Sequence, residues 1–86
     1  MANNHKELLE SCLKQMRDLD VKRQVYEELR VKAICNRNEC IVNGKYERAI
    51  VWEDIKDHCI DERILATQEI KDLYSMYIHL KAEMGI

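Results

Sequence analysis

Residues 66–84, ATQEIKDLYSMYIHLKAEM, carry the most regular apolar pattern in the chain. Apolar side chains recur there at alternating steps of four and three residues: Ala66, Ile70, Leu73, Tyr77, Leu80 and Met84. This heptad spacing places all six on a narrow strip of one helix face, as in coiled coils. We expect Asp61 to cap this helix and Gly85 to end it. The strip is short for an isolated coiled coil and suits packing inside a bundle or against a second copy.

Upstream of this helix, the sequence predicts further helices joined by short polar breaks. Apolar residues at helical spacing indicate a first helix over residues 4–18. A cap at Asp18 or Asp20 starts a second helix that ends near Cys35. The apolar stripe predicted for that second helix is Val21, Val25, Leu29 and Ala33. Because the Asp-Leu-Asp connection is short, these two helices should form either a tight hairpin or one kinked rod.

The middle of the chain allows two interpretations. Asn43-Gly44 lies between apolar and aromatic residues, which is a strong β-hairpin signal. Gly44 suits a left-handed stop before another helix equally well. The flanking residues do not alternate cleanly between apolar and polar, so we favour a loop over residues 36–44. A third helix over residues 46–59 then follows.

The composition fits one small helical domain. Charged residues make up 35% of the chain and hydrophobic residues 47%, a balance typical of globular and not of disordered proteins. Proline is absent and glycine occurs twice, which permits long helices. We therefore expect a single all-α domain over residues 1–86, a small bundle of three to four helices with a heptad-like C-terminal helix.

Several functional classes are disfavoured. The net charge of −2 is too small to suggest a nucleic-acid footprint. Two glycines cannot build a phosphate-binding loop, and no nucleophile motif occurs, so we do not expect an enzyme. The N-terminus lacks the apolar run of a signal peptide, and no apolar run approaches the length of a membrane span. We expect a cytoplasmic protein without a membrane segment.

Zinc is the cofactor that the cysteines could hold. Tetrahedral zinc takes thiolate and imidazole ligands, and the candidate set is Cys35, Cys40, His58 and Cys59, with Cys12 or His5 as replacements. Neighbouring helix residues such as His58 and Cys59 project about 100° apart, so at most one of them points at a shared metal. We prefer reduced thiols that pack as small apolar groups, and no cofactor.

A basic stripe is the second candidate site. Arg23, Arg30 and Arg37 are spaced seven residues apart, as a row of phosphate contacts would be. Glu27 and Glu28 interrupt this row, so a solvated helix face is the preferred interpretation and nucleic acid is not the expected partner.

Apolar residues outside the predicted stripes give the best indication of function. Ile64, Tyr74 and Ile78 lie outside the apolar strip of the C-terminal helix. Exposed apolar surface of this kind marks partner or oligomer interfaces. The predicted interface combines them with Tyr77, Leu80 and Met84. We expect a small interaction protein, a homo-oligomer that regulates, inhibits or adapts a larger protein partner. Its size suits a phage or mobile-element accessory protein. The alternative is a zinc-stabilised transcriptional regulator associated with nucleic acid.

Overall fold

The fold is a hairpin of two long antiparallel helices. The computed structural model describes residues 2–85, with side chains from residue 5 onward. Helix α1 spans Ala2–Val42 and helix α2 spans Tyr46–Glu83. The Cα atoms occupy a rod of 63 × 15 × 14 Å. The all-α class is therefore confirmed, whereas the predicted bundle of three to four helices is wrong.

The first predicted break, at Asp18 to Asp20, is absent: the helix continues through it, and Leu19 and Asp20 make contacts there. Leu19 is half-buried between the two helices. The Asp20 carboxylate accepts a hydrogen bond from Arg23 one turn later, with 2.5 Å between Oδ1 and Nη2. Aspartate has only a weak preference against helix interiors, and contacts with a second helix outweigh it. The kinked rod and the tight hairpin at this point are both wrong.

The predicted loop over residues 36–44 is wrong for residues 36–42, which continue helix α1, and the predicted helix start at Asp61 lies inside helix α2. Arg37 reaches across to Glu53 of α2, with 2.6 Å between Nη1 and Oε2. This contact holds the turn of α1 that contains Asn36 and Asn38 against α2. Asp61 is an exposed residue in the interior of α2, not a cap.

The chain reverses at residues 43–45, where Gly44 adopts φ +72°. The amide of Gly44 donates to the carbonyl of Ile41 at 3.1 Å, and the amide of Lys45 donates to the carbonyl of Cys40 at 2.7 Å. This pair of bonds is a Schellman motif, which satisfies the last carbonyls of α1 and needs a left-handed residue. Gly44 is thus a helix stop, and the β-hairpin alternative is wrong. The predicted start of a helix at residue 46 is confirmed.

A heptad seam joins the two helices along their whole length. The α1 seam consists of residues that are all buried or half-buried: His5, Leu9, Cys12, Met16, Leu19, Arg23, Tyr26, Arg30, Ala33, Arg37 and Cys40. The α2 seam has the same property: Ala49, Trp52, Lys56, Cys59, Arg63, Ala66, Ile70, Leu73, Tyr77, Leu80 and Met84. Steps of three and four alternate without interruption in both sets, which is the signature of an antiparallel coiled coil. The predicted strip from Ala66 to Met84 is confirmed as half of this seam.

The apolar core inside the hairpin is small. Its buried residues are mostly alanine and cysteine: Leu9, Cys12, Ala33, Ala49, Cys59, Ala66 and Leu80. At the open end, Leu9, Cys12 and Leu80 pack with the larger side chains of Leu73, Tyr77 and Met84. Small seam residues let two helices approach closely, but they bury little apolar area. Most of the large apolar residues consequently lie outside the seam.

Candidate interaction surfaces

The predicted arginine stripe lies in the seam, not on a free face. Arg23, Arg30 and Arg37 all occupy α1 seam positions and are half-buried. Each one binds a carboxylate: Arg23 with Asp20, Arg30 with Glu27, and Arg37 with Glu53. Their seven-residue spacing therefore reflects the heptad repeat of the hairpin. Cations held by carboxylates in a helix–helix contact are poorly placed to contact phosphates.

Glu27 organises the ionic contacts in the middle of the hairpin. Arg30 donates two hydrogen bonds to its carboxylate, from Nε at 2.9 Å and from Nη2 at 2.6 Å. Arg63 of α2 approaches the same carboxylate, with 2.5 Å between Nη1 and Oε2. The bonds from Arg30 lower the pKa of Glu27, with a smaller contribution from Arg63, against the opposing effect of burial. The Nε of Arg63 is buried and lacks a hydrogen-bond partner among the described residues.

Glu53 makes the equivalent link near the loop. Its carboxylate binds Lys56 one turn later and Arg37 across the seam. Hydrogen bonds from Lys56 and then from Arg37 lower the pKa of Glu53, and the same contact raises the pKa of Lys56. Solvent screens such pairs at partly exposed sites, so each contributes little to stability. Placed at seam positions, these pairs chiefly fix which residues of the two helices face each other.

The four candidate zinc ligands do not converge. Cys35 is exposed on α1, Cys40 is half-buried in the seam near the loop, and His58 is exposed on α2. Cys59 is fully buried in the seam, where burial raises the pKa of its thiol. No group of three or more metal-binding side chains occurs along the part of the chain that the structure describes. The zinc hypothesis therefore has no assembled ligand set within those residues.

The predicted interface residues separate into two sets. Tyr77, Leu80 and Met84 pack in the seam against α1, so they are occupied inside the hairpin. Ile64, Tyr74 and Ile78 are 52%, 58% and 45% exposed on the outside of α2.

The exposed set belongs to a longer surface, which we call the outer stripe. It consists of three pairs of apolar residues along α2: Tyr46 with Ile50, Ile60 with Ile64, and Tyr74 with Ile78. Corresponding members of successive pairs are fourteen residues apart, which is two heptads. The six residues therefore occupy two adjacent heptad positions and form one band along α2. Sequence reasoning missed Tyr46, Ile50 and Ile60. The fourteen-residue spacing was the signal that could have identified them.

A second apolar surface, the reverse patch, lies on the other side of the hairpin. It consists of Val21, Val25 and Leu29 of α1 with Leu65 of α2, which are 58%, 55%, 36% and 52% exposed. The predicted burial of Val21, Val25 and Leu29 is wrong, because the α1 seam runs through Arg23, Tyr26 and Arg30 instead. Only Ala33 of that predicted stripe is buried.

Contacts between the helices show which side the reverse patch occupies. On this side, Lys22 Nζ lies 3.4 Å from Glu62 Oε2. The rings of Tyr26 and His58 meet edge to face, with their centroids 6.0 Å apart. Val21, Val25, Leu29 and Leu65 are close in sequence to these contact residues, so the patch lies on this side and includes both helices.

Comparison with protein-family models, with curated proteins and with solved structures gives no significant match. Along the described residues, neither helix has a segment of sufficient length and hydropathy to cross a bilayer.

Proposed function

We propose that this chain is a small protein–protein interaction module that regulates, inhibits or adapts a larger partner in the cytoplasm. The supporting observation is the placement of its large apolar residues. Among the residues whose side chains the structure describes, sixteen large apolar residues are at least 36% exposed, whereas the buried ones are two leucines, three alanines and two cysteines. Contiguous apolar surface costs free energy in water, and soluble proteins retain it where a partner covers it.

The reverse patch is the surface that we assign to the larger partner. Its three aliphatic side chains on α1 and Leu65 on α2 form an apolar area beside the Lys22–Glu62 ion pair. An apolar centre beside charged side chains is typical of the interfaces of transient complexes. A helix or an apolar groove on the partner would suit this surface, since the hairpin offers a nearly straight ridge.

The cytoplasmic assignment draws on the thiols. All four cysteines are free, and two of them are buried in the seam as small apolar groups. A reducing compartment keeps such thiols unpaired.

Site-specific photocrosslinking tests the proposal in extract from the source cells. A photoreactive residue at Val25 should give an adduct with one discrete larger protein. The same residue at Glu7, which is exposed on α1 fourteen residues before Val21 and outside both apolar surfaces, serves as the control. Adding Leu65→Glu to the Val25 variant should abolish the adduct. The absence of a Val25-specific adduct, or an adduct that tolerates Leu65→Glu, would contradict the proposed function.

A further inference from the structure

We propose that the outer stripe pairs with the outer stripe of a second copy, antiparallel and about a two-fold axis that passes midway between Ile60 and Ile64. This inference goes beyond the proposed function, because it concerns the opposite side of the hairpin and needs no larger partner. It rests on the order of residues along the stripe.

The apolar pairs of the outer stripe are arranged symmetrically about residue 62. An antiparallel copy centred there places Tyr46 opposite Ile78 of the second copy, and Ile50 opposite its Tyr74. The central pair meets itself, with Ile60 opposite Ile64. A two-fold interface must be self-complementary in this way, since the same surface serves on both subunits.

The polar residues between the apolar pairs are complementary in the same register. The first gap holds Glu53 and Asp57, and the second gap holds Thr67 and Lys71. Antiparallel pairing about residue 62 places Glu53 opposite Lys71 of the second copy, and Asp57 opposite its Thr67. A parallel pairing would instead align acidic residues with acidic residues, which disfavours that arrangement. Charge order and apolar order therefore select the same dimer.

The area available matches the requirement of a stable dimer. Tyr46, Ile50, Ile64, Tyr74 and Ile78 are each between 45% and 65% exposed, so the stripe offers about 600 Å² of side chain per copy. Burial on both copies removes on the order of 1,200 Å², at the lower end of specific interfaces. Half-exposed apolar residues of α1 border the same side and add to this area: Leu13, Val31, Ile34 and Ile41. The dimer would thus be a four-helix arrangement whose apolar interior exceeds that of either hairpin.

Sedimentation velocity on the untagged chain tests the inference, and two neighbouring residues provide a matched pair of variants. Ile64 lies in the outer stripe and Leu65 in the reverse patch, and both are 52% exposed. The wild-type chain should sediment with twice the chain mass of 10.3 kDa. Ile64→Asp should weaken dimerisation at least about 100-fold, since it places two carboxylates in the apolar centre. Leu65→Asp should leave the dimer intact, and circular dichroism checks that both variants remain helical.

A charge reversal tests the register. Lys71→Glu places like charges opposite each other twice per dimer and should weaken dimerisation about tenfold. Lys14→Glu makes the same change of net charge at an exposed position of α1 outside the stripe, and should have no such effect.

A monomeric wild-type chain, or an Ile64→Asp variant that stays dimeric, overturns the inference. So does equal dissociation by Leu65→Asp, or equal weakening by the two lysine reversals. These outcomes are independent of the photocrosslinking result, because that experiment probes the reverse patch.

Discussion

Leu8 and Leu9 offer the sharpest test of the hairpin seam, because they are neighbours in sequence with opposite environments. Leu9 is 9% exposed and belongs to the cluster with Cys12 and Leu80 at the open end of the hairpin. Leu8 is 49% exposed. A bundle of shorter helices would allow both to pack, whereas the continuous seam admits only Leu9. We predict that Leu9→Ala destabilises the protein and that Leu8→Ala does not.

The magnitude follows from burial. Truncating a buried leucine to alanine costs about 2–5 kcal/mol, and the lower end applies here because the ends of helices open locally. We expect a loss of about 2 kcal/mol for Leu9→Ala, and a fall in Tm of roughly 10 °C. Leu8→Ala should change the free energy of unfolding by less than about 0.5 kcal/mol. The small gain in helix propensity from alanine is shared by both variants and cancels in the comparison.

Urea unfolding followed by circular dichroism at 222 nm measures this difference. Both variants must be compared with the wild-type chain at one protein concentration, since association makes stability depend on concentration. Equal destabilisation by the two substitutions, or a larger effect of Leu8→Ala, would refute the seam and with it the antiparallel register.

Three further predictions concern the turn, the ion pairs and the thiols. Gly44→Ala should destabilise the hairpin by about 1 kcal/mol in urea unfolding, because φ is +72° at this residue. Gly44→Asn should recover part of the loss, since asparagine tolerates the left-handed conformation better than alanine. Equal stability of all three chains would contradict the Schellman turn. Because the pKa values of Glu27 and Glu53 are lowered from 4.5 in the folded chain, their contribution to stability is present above pH 4.5 and is lost as the pH falls through the lowered values. The double variant E27Q/E53Q should therefore lose less stability than the wild-type chain between pH 7 and pH 3 in urea unfolding, and an unchanged pH dependence would argue against these contacts. Cys59 should react with iodoacetamide only after unfolding, since its thiol is buried with a raised pKa. The exposed Cys35 should react in the native state. Mass spectrometry of the alkylated peptides distinguishes the two thiols, and labelling of Cys59 in the folded protein would contradict its burial.

The sequence predicted the helical class and half of the α2 seam, because all six seam positions between Ala66 and Met84 are apolar. The matching seam of α1 has the same spacing, but arginines fill three of its positions. A search for apolar periodicity does not select Arg23, Arg30 and Arg37. It selects Val21, Val25 and Leu29, which lie one or two residues from the seam positions. Ion pairs with carboxylates are what make arginine acceptable in the seam, and those partners become visible only when the two helices are placed together.

The helix boundaries failed for a related reason. Asp18 to Asp20 and residues 36–38 carry residue types that favour helix ends, yet in this chain they lie inside a helix of 41 residues. Local preference is worth a fraction of a kcal/mol per residue, and contacts along a second helix outweigh it. The one break that local chemistry does enforce is Gly44, where a left-handed backbone is required. The sequence allows the left-handed stop at Gly44 as one of two alternatives, and the structure selects it.

The hairpin brings its two ends to one tip, as the 3.3 Å contact between His5 and Glu83 shows. A domain or label attached at either end would therefore be held at the same tip, with the 43–45 loop at the far end of a 63 Å rod. In the antiparallel dimer, the attachments of the two copies would sit at opposite tips. Such an assembly would act as a spacer that keeps its attachments apart at a distance set by helix length alone.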